Sequence, residues 1–329
     1  MITEYPPPMH ATTAPVPLGS TGPRLLPMGV GTVQWGDRTV WGYGQRYGVD
    51  DVRDAFWCSI AAGVTLVDTA EIYGWGRSER LIGRFLRTVR SPVFVATKFF
   101  PFPWRLSEGA FFQALEGSLR RLGRDQIDLY QIHWPTPLVP VERLMEWMAL
   151  AVERGLIAHV GVSNFNVDQT RRAYAALSRR GIPLASNQVQ FSLLARAPER
   201  TGLLELCRKL GVSVIAYSPL AQGLLSGKYS LVHRPAGVRS VTLLPSLVRL
   251  GPVIAELRRI GDAYGRTPGQ IALRWTIEKG TIPIPGAKNG RQATENAAAL
   301  AFALSDEDVA ALDAAADRVV PDRLAPKRG

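Results

Sequence analysis

Eight short apolar runs, near residues 29–33, 64–67, 93–97, 127–132, 157–162, 185–189, 212–217 and 281–284, alternate along this chain with segments of helical periodicity. The helical patterns cover 51–62, 78–87, 107–122, 141–154, 167–179, 198–210 and 252–264. Runs rich in Val, Ile and Leu with no polar alternation read as strands buried on both faces, as in a parallel sheet covered by helices. Eight of them interleaved with helices predict a (β/α)8 TIM barrel, and 329 residues are enough to build one. The competing open sheet that binds a dinucleotide has its own requirement, G-x-G-x-x-G after an early strand. That requirement is not met, because the third glycine is replaced by Gln34 after Gly29 and Gly31, by Tyr47 after Gly42 and Gly44, and by Glu79 after Gly74 and Gly76.

Three of the runs end in groups that do chemistry. Val64-Thr-Leu-Val-Asp-Thr-Ala-Glu-Ile-Tyr73 passes from apolar residues to Asp68 and then Tyr73, Pro92-Val-Phe-Val-Ala-Thr-Lys98 ends in a lysine, and Gln126-Ile-Asp-Leu-Tyr-Gln-Ile-His133 ends in a histidine. If the strands are parallel, Asp68, Tyr73, Lys98 and His133 converge at the end of the barrel where such folds keep their active sites. The chain has only six lysines, at 98, 209, 228, 279, 288 and 327, amid abundant arginine, so Lys98 reads as a choice of a compact, tunable ammonium.

Composition narrows the function classes. The net charge is +11, from 39 basic and 28 acidic residues. The arginines are scattered, in pairs such as Arg120-Arg121 and Arg258-Arg259, and no nucleic-acid motif accompanies them, so they read as solvated helix faces and an attractive field for an anionic ligand. Two cysteines far apart predict free thiols, and the four histidines have no metal-binding spacing, so no metal is expected. Residues 1–17, with Pro6, Pro7, Pro8, Pro15 and Pro17, read as a mobile arm ahead of one barrel domain over 18–329. No run reaches membrane-spanning length and no signal region is evident, so a cytoplasmic protein without membrane or nucleic-acid partners is expected.

Later strand ends carry amide chemistry. Ser163, Asn164 and Gln188 offer the donors and acceptors that a carboxamide needs, and Tyr217 a flat face. Ser218-Pro-Leu-Ala-Gln-Gly-Leu-Leu-Ser-Gly-Lys228 combines small residues with an ammonium, as a pyrophosphate requires. This loop, about 218–245, loses pattern after Lys228 and reads as a mobile lid.

Asp68-Thr-Ala-Glu-Ile-Tyr73-Gly74, Ala96-Thr-Lys98 and Gln131-Ile-His133-Trp-Pro135 resemble the catalytic segments of the aldo-keto reductase family, and the likeness runs over about 18–315. It implies an NADP-dependent oxidoreductase that reduces aldehydes or ketones. In that family Tyr73 would give the proton, Lys98 would lower the phenol's pKa, Asp68 would hold Lys98, and His133 would orient the carbonyl. Cofactor contacts would come from Gly31 and Thr32, from Ser163, Asn164, Gln188 and Tyr217 at the nicotinamide, and from Ser218, Pro219, Leu220, Gln222, Gly223 and Lys228 at the pyrophosphate. Ile284-Pro-Gly286-Ala-Lys288-Asn289-Gly-Arg-Gln292-Ala-Thr-Glu295-Asn296 is similar to the adenosine-binding segment, with Lys288 and Asn289 or Arg291 at the ribose 2′ position, which favours NADPH over NADH. The residues 18–26, Leu-Gly-Ser-Thr-Gly-Pro-Arg-Leu-Leu, would form a hairpin plugging the bottom of the barrel, and extra helices would follow its last strand.

Trp35, Phe99, Trp104 and Trp134, with Trp41, Tyr43 and Phe100, are expected to line an aromatic substrate pocket. Longer stretches, including Trp35-Gly-Asp37, Phe102-Pro-Trp-Arg105 and Pro283-Ile-Pro-Gly-Ala-Lys-Asn289, look like the plant chloroplast and cyanobacterial branch that includes pyridoxal reductase. A flat aromatic aldehyde such as pyridoxal is therefore a candidate substrate. Two other classes stay open from the sequence: a regulatory subunit that senses NAD(P)H with slow turnover, and a Schiff-base enzyme with Lys98 as nucleophile. The oligomeric state is left open.

Overall fold

The computed structural model describes residues 12–230, 233, 247 and 249–319. Eight parallel strands form one sheet in chain order: β3 (Gly29–Gly31), β4 (Leu66–Asp68), β5 (Phe94–Phe99), β6 (Ile127–Ile132), β7 (Ile157–Ser163), β8 (Leu184–Gln190), β9 (Ser213–Tyr217) and β10 (Ile282–Ile284). The sheet curls until its edges meet, where Gly31 N–H donates to the Pro285 carbonyl at 3.0 Å and Gly31 bridges to Gly286. A Cβ on Gly31 would stand 2.8 Å from the Ile284 carbonyl oxygen, so only glycine permits this approach. The barrel expected from the alternating pattern is the observed fold.

Inside the barrel the alternation of side chains fixes what lies where. Leu66, Phe94, Ala96, Leu129, Ile215 and Ile282 pack together in the lower interior. Counting on in twos along the same strands reaches Asp68, Lys98, Gln131 and Tyr217. The intervening residues Val67, Val95, Phe99, Tyr130 and Ile132 face outward into the larger core beneath the helices. Truncating a fully buried leucine such as Leu66 to alanine would cost about 2–5 kcal/mol.

The lower end is closed by the antiparallel pair β1 (Val16–Pro17) and β2 (Arg24–Leu25), whose turn sends Leu18, fully buried, into the barrel interior. Gly19 N–H donates to Ser213 Oγ at 2.8 Å, fastening the hairpin to the start of β9. Strand β1 and Thr13, whose N–H and Oγ1 both bond the Leu300 carbonyl, place 12–17 within the folded body. The rest of the expected N-terminal arm, residues 1–11, lies outside the described residues.

The helices follow the expected order with one division. The pattern over 198–210 is two helices, Ala197–Arg200 and Leu203–Leu210, because Gly202 takes a left-handed φ of 78° between them. After β9 come Gly251–Tyr264 and Pro268–Glu278, and after β10 come Gly290–Ala297 and Asp306–Val319. Thr267 caps the second of these through the Gln270 N–H, with Pro268 at its first turn, the sequence signature of a helix start. Among the described residues no helix is long and apolar enough to cross a membrane.

Candidate active site

Asp68 and Lys98 occupy the upper interior of β4 and β5 for the reason just given: they are the next inward positions after an apolar layer. Lys98 is fully buried and Asp68 is 2 % exposed. Lys98 Nζ donates to Asp68 Oδ1 at 2.6 Å and to the Thr69 carbonyl at 2.7 Å. The other carboxylate oxygen, Oδ2, accepts from Gln188 Nε2 at 2.7 Å and from Gln131 Nε2 at 3.3 Å. A buried charge pair persists only when its remaining lone pairs and protons are satisfied, and two amides meet that need here.

Tyr73 sits on the turn after β4. Its N–H bonds the Ala70 carbonyl, and Gly74 and Gly76 follow in left-handed conformations that carry the chain into the helix Arg77–Leu86. The phenol ring lies 5.8 Å, edge-on, from the His133 imidazole, and Lys98 Nζ is 5.2 Å from its centroid. Glu71 ties this turn to the next strand end, accepting the Phe100 N–H at 2.7 Å and pairing with Arg105 at 3.0 Å.

The electrostatics correct one expectation. Burial, with the Asp68 charge adding to it, pushes the Tyr73 phenol above the ordinary tyrosine range rather than below it. The Lys98 ammonium is committed to Asp68 and Thr69, and burial draws its own pKa down. His133 is held at about 3 by burial and by the Lys98 charge, so its imidazole is neutral at pH 7. Its Nδ1 is buried without a hydrogen-bond partner.

Above this cluster opens a cavity of about 610 Å³. Asp68, Tyr73, His133, Ser163, Asn164 and Gln188 border it together with Gly31 and Thr32. Asn164, at a φ of 62°, donates through Nδ2 to the His133 carbonyl and to Ser163 Oγ, both at 3.1 Å, and accepts from Tyr217 Oη at 3.0 Å. The cavity continues past Tyr217, Ser218, Pro219, Leu220, Gln222, Gly223 and Lys228 to Ile284, Gly286, Lys288, Gln292, Glu295 and Asn296. Ser218, Ala221 and Gln222 all hold positive φ, and this bends the loop after β9 along the cavity. From 231 to about 245 the expected lid lies, apart from residue 233, outside the described residues.

Several predicted cofactor residues also bond within the protein: Glu295 accepts from Arg291 Nη1 at 3.0 Å and Asn296 Nδ2 donates to the Gly286 carbonyl at 3.4 Å. Asn289 does not line the cavity; its side chain caps the helix Gly290–Ala297 by accepting the Gln292 N–H at 3.0 Å. Gln292 lines the cavity but also accepts the Lys288 N–H at 2.9 Å.

The substrate-pocket residues divide. Trp134 and Trp41 line the cavity. Phe99 does not, because it follows Lys98 directly and so faces the opposite side of the strand, where it packs edge-on against Phe111. Trp35 is fully buried, donating from Nε1 to the Ala287 carbonyl at 2.8 Å and meeting Phe85. Trp104 is 74 % exposed and stacks on Phe102 away from the cavity. Gln131, Gln34 and Glu71 escaped the sequence reading. Alternation alone would have found Gln131, lying two residues after Leu129 and two before His133.

The cofactor expected from the sequence can be tested against these groups. The site offers amide donors and acceptors at one end, an aromatic face at Tyr217, a lysine at the loop and another at the far end. At Gly286 any Cβ would lie 2.8 Å from Gln34 Nε2, leaving a backbone cradle. This set fits an elongated dinucleotide with a carboxamide and several phosphates.

A buried Asp–Lys pair beside a phenol, at the open end of a barrel with such a cavity, defines a TIM-barrel oxidoreductase. Over residues 27–317 the sequence matches the aldo/keto reductase family, and the chain belongs to it. It is 41 % identical over 305 residues to the chloroplastic pyridoxal reductase of Arabidopsis thaliana, covering 89 % of this chain and 83 % of that protein. A thermostable aldo-keto reductase crystallised with the inhibitor epalrestat superposes with a TM-score of 0.74 at 34 % identity, over 92 % of this chain and 99 % of the other. An aldo-keto reductase of Klebsiella pneumoniae, solved in complex with NADPH, superposes at 0.71 with 28 % identity, over 95 % and 97 % of the two chains.

Proposed function

We propose that this chain reduces the carbonyl of a flat aromatic aldehyde, of which pyridoxal is the first candidate, using NADPH. The observation that carries the reading is the convergence of Tyr73, His133 and the buried Asp68–Lys98 pair beside one cavity of about 610 Å³ whose lining runs on to Lys228, Glu295 and Asn296. Bound NADPH supplies the hydride. Everything else falls to the protein.

The substrate oxygen gathers negative charge and needs a proton. Tyr73 keeps its proton throughout the neutral range because burial raises its pKa, so the acid form is always present. It gives up that proton as the carbonyl oxygen becomes basic, and the Lys98 ammonium, 5.2 Å from the ring centroid, offsets only part of the cost that burial and Asp68 place on the resulting phenolate. Neutral His133 donates a hydrogen bond to the same oxygen and brings no competing charge. Asp68 fixes Lys98, and Gln188 and Gln131 fix Asp68. Ser163, Asn164 and Gln188 would hold the carboxamide, Tyr217 would offer its face to the nicotinamide ring and Lys228 would meet the pyrophosphate, while Glu295 and Asn296 would serve the adenine and Lys288 the ribose 2′-phosphate. Trp134, at the rim, offers an apolar face to an aromatic substrate.

The test is NADPH oxidation by the purified protein with pyridoxal and 4-nitrobenzaldehyde in separate runs, repeated with Tyr73→Phe. Turnover of either aldehyde, reduced about 10²–10³-fold by the substitution while NADPH still binds, supports the reading. Parent-rate reduction by Tyr73→Phe would sink the proton-donor assignment. Reduction of 4-nitrobenzaldehyde without pyridoxal removes the named substrate. NADPH binding with negligible oxidation of both would favour a regulatory subunit.

A further inference from the structure

Behind Asp68 and Lys98, on the outer side of the barrel wall, lies a set of buried hydroxyls. Thr69 follows Asp68 and Thr97 precedes Lys98, so the alternation that turns the charged pair inward turns both threonines toward the covering helix. Thr32, directly after β3, borders the cavity. These three residues, with Ser78 and Glu79 in the first turn of the helix Arg77–Leu86, are all fully buried.

Thr69 Oγ1 donates to Ser78 Oγ at 2.9 Å, and Thr32 Oγ1 donates to the Asp68 carbonyl at 2.9 Å. Ser78 Oγ lies 2.8 Å from Thr32 Oγ1 and 3.3 Å from the Thr32 carbonyl oxygen. A hydroxyl has one proton to give, and those of the two threonines are committed, so Ser78 is the donor to Thr32. The bonds run one way, from Thr69 to Ser78 to Thr32 to the Asp68 carbonyl, and end beside the residue where they start. The Ser78 N–H also donates to the Tyr73 carbonyl at 3.3 Å. One residue on, Glu79 Oε1 accepts from Thr97 Oγ1 at 2.7 Å and docks the same helical turn on β5.

Proton transfer needs two groups from different elements in register. Tyr73 stands on the turn after β4, and Lys98 Nζ lies 5.2 Å from its ring centroid with the Thr69 carbonyl as one of its acceptors. Ser78 is bonded to both sides of that relationship, to Tyr73 through its N–H and to Thr69 through its hydroxyl. We propose that Ser78 is a positioning residue that sets Tyr73 against Lys98, with Thr69 as the link. The proposal rests on Tyr73 as the proton donor, assigned above, and gives a part in the reaction to a serine that does not line the cavity.

The experiment measures single-turnover oxidation of bound NADPH in the full chain, in H2O and in D2O, with whichever of pyridoxal and 4-nitrobenzaldehyde the parent reduces. Ser78→Ala is expected to slow this step about tenfold, to raise the H2O-to-D2O rate ratio because proton transfer is what it displaces, and to leave the NADPH dissociation constant within about twofold of the parent. Thr69→Val should do the same, and the double variant should be little slower than either, since both break one link. Ser59→Ala, which removes another buried hydroxyl whose bond goes only to Ala55 of its own helix, should keep the parent rate and ratio. A parent rate and isotope ratio in Ser78→Ala, a loss confined to the amplitude of the turnover, or multiplying losses in the double variant overturns the proposal. A parent protein inert toward both aldehydes overturns the reading on which it rests, and the proposal with it. If Ser78→Ala fails to fold, Thr69→Val gives the decision by the same rate and isotope ratio.

Discussion

Lys98 and Asp68 are paired at 2.6 Å with side-chain exposures of 0 % and 3 %, so each charge depends mainly on the other for its solvation. Asp68→Asn would leave a buried ammonium without its counter-ion. The expected result is a loss of roughly 3–5 kcal/mol in unfolding free energy and a fall in kcat of roughly 10²-fold or more. Urea denaturation and steady-state turnover check the two effects separately.

His133 gives a pH signature of stability. Its pKa is about 3 in the folded protein against 6.5 for the free group, so between those values the unfolded chain binds a proton that the folded chain does not. Stability from this group is complete above about pH 6.5 and declines as the pH falls toward 3, with a slope of about 1.4 kcal/mol per pH unit at its steepest. A His133→Gln protein should lack that component. Denaturation series at pH 4, 5, 6 and 7 for the two proteins would show the difference in slope, and parallel series would contradict it.

Gln131 is fully buried and its Nε2 reaches Asp68 Oδ2 at 3.3 Å, while its Oε1 receives Gln188 Nε2 at 3.4 Å. Gln131→Leu removes both contacts and leaves an acceptor short of a donor. A destabilisation of about 1–3 kcal/mol is expected. Gln131→Glu is expected to be worse, since it sets a second carboxylate beside Asp68. Thermal melts of the two variants rank them.

Two glycines at the closing edge should respond differently to alanine. At Gly31 the new methyl would meet the Ile284 backbone carbonyl at 2.8 Å, which cannot move without opening the sheet. At Gly286 it would meet the Gln34 side-chain amide at 2.8 to 2.9 Å, which can swing away. Gly31→Ala should therefore lower the melting temperature markedly, by about 1–3 kcal/mol in stability. Gly286→Ala should melt near the parent but bind NADPH more weakly.

Much of this was legible in the sequence because two periodicities are simple. Strand runs alternating with helical stretches gave the barrel, and strand ends placed Asp68, Lys98 and His133 together. The same logic of alternate faces excludes Phe99, one residue after Lys98, and includes Gln131, two residues before His133. Trp35 and Trp104 were harder. Whether an aromatic residue on a loop turns inward to a carbonyl, as Trp35 does to Ala287, or outward onto Phe102, as Trp104 does, depends on contacts distant in the chain. The raised pKa of Tyr73 was also hidden, since the partners of Lys98 and the burial of the phenol are tertiary facts.

The ring closes through Gly31 and Gly286, and this sets an order of events for a chain emerging from the ribosome. Until β10 is in place, β3 has no partner on one side, and an unpaired edge of that kind can recruit other strands. The segment that ends this exposure is the one that brings Lys288, Gln292 and Asn296 to the cavity. For the nascent protein, losing its adhesive edge and gaining its complete cavity are a single event.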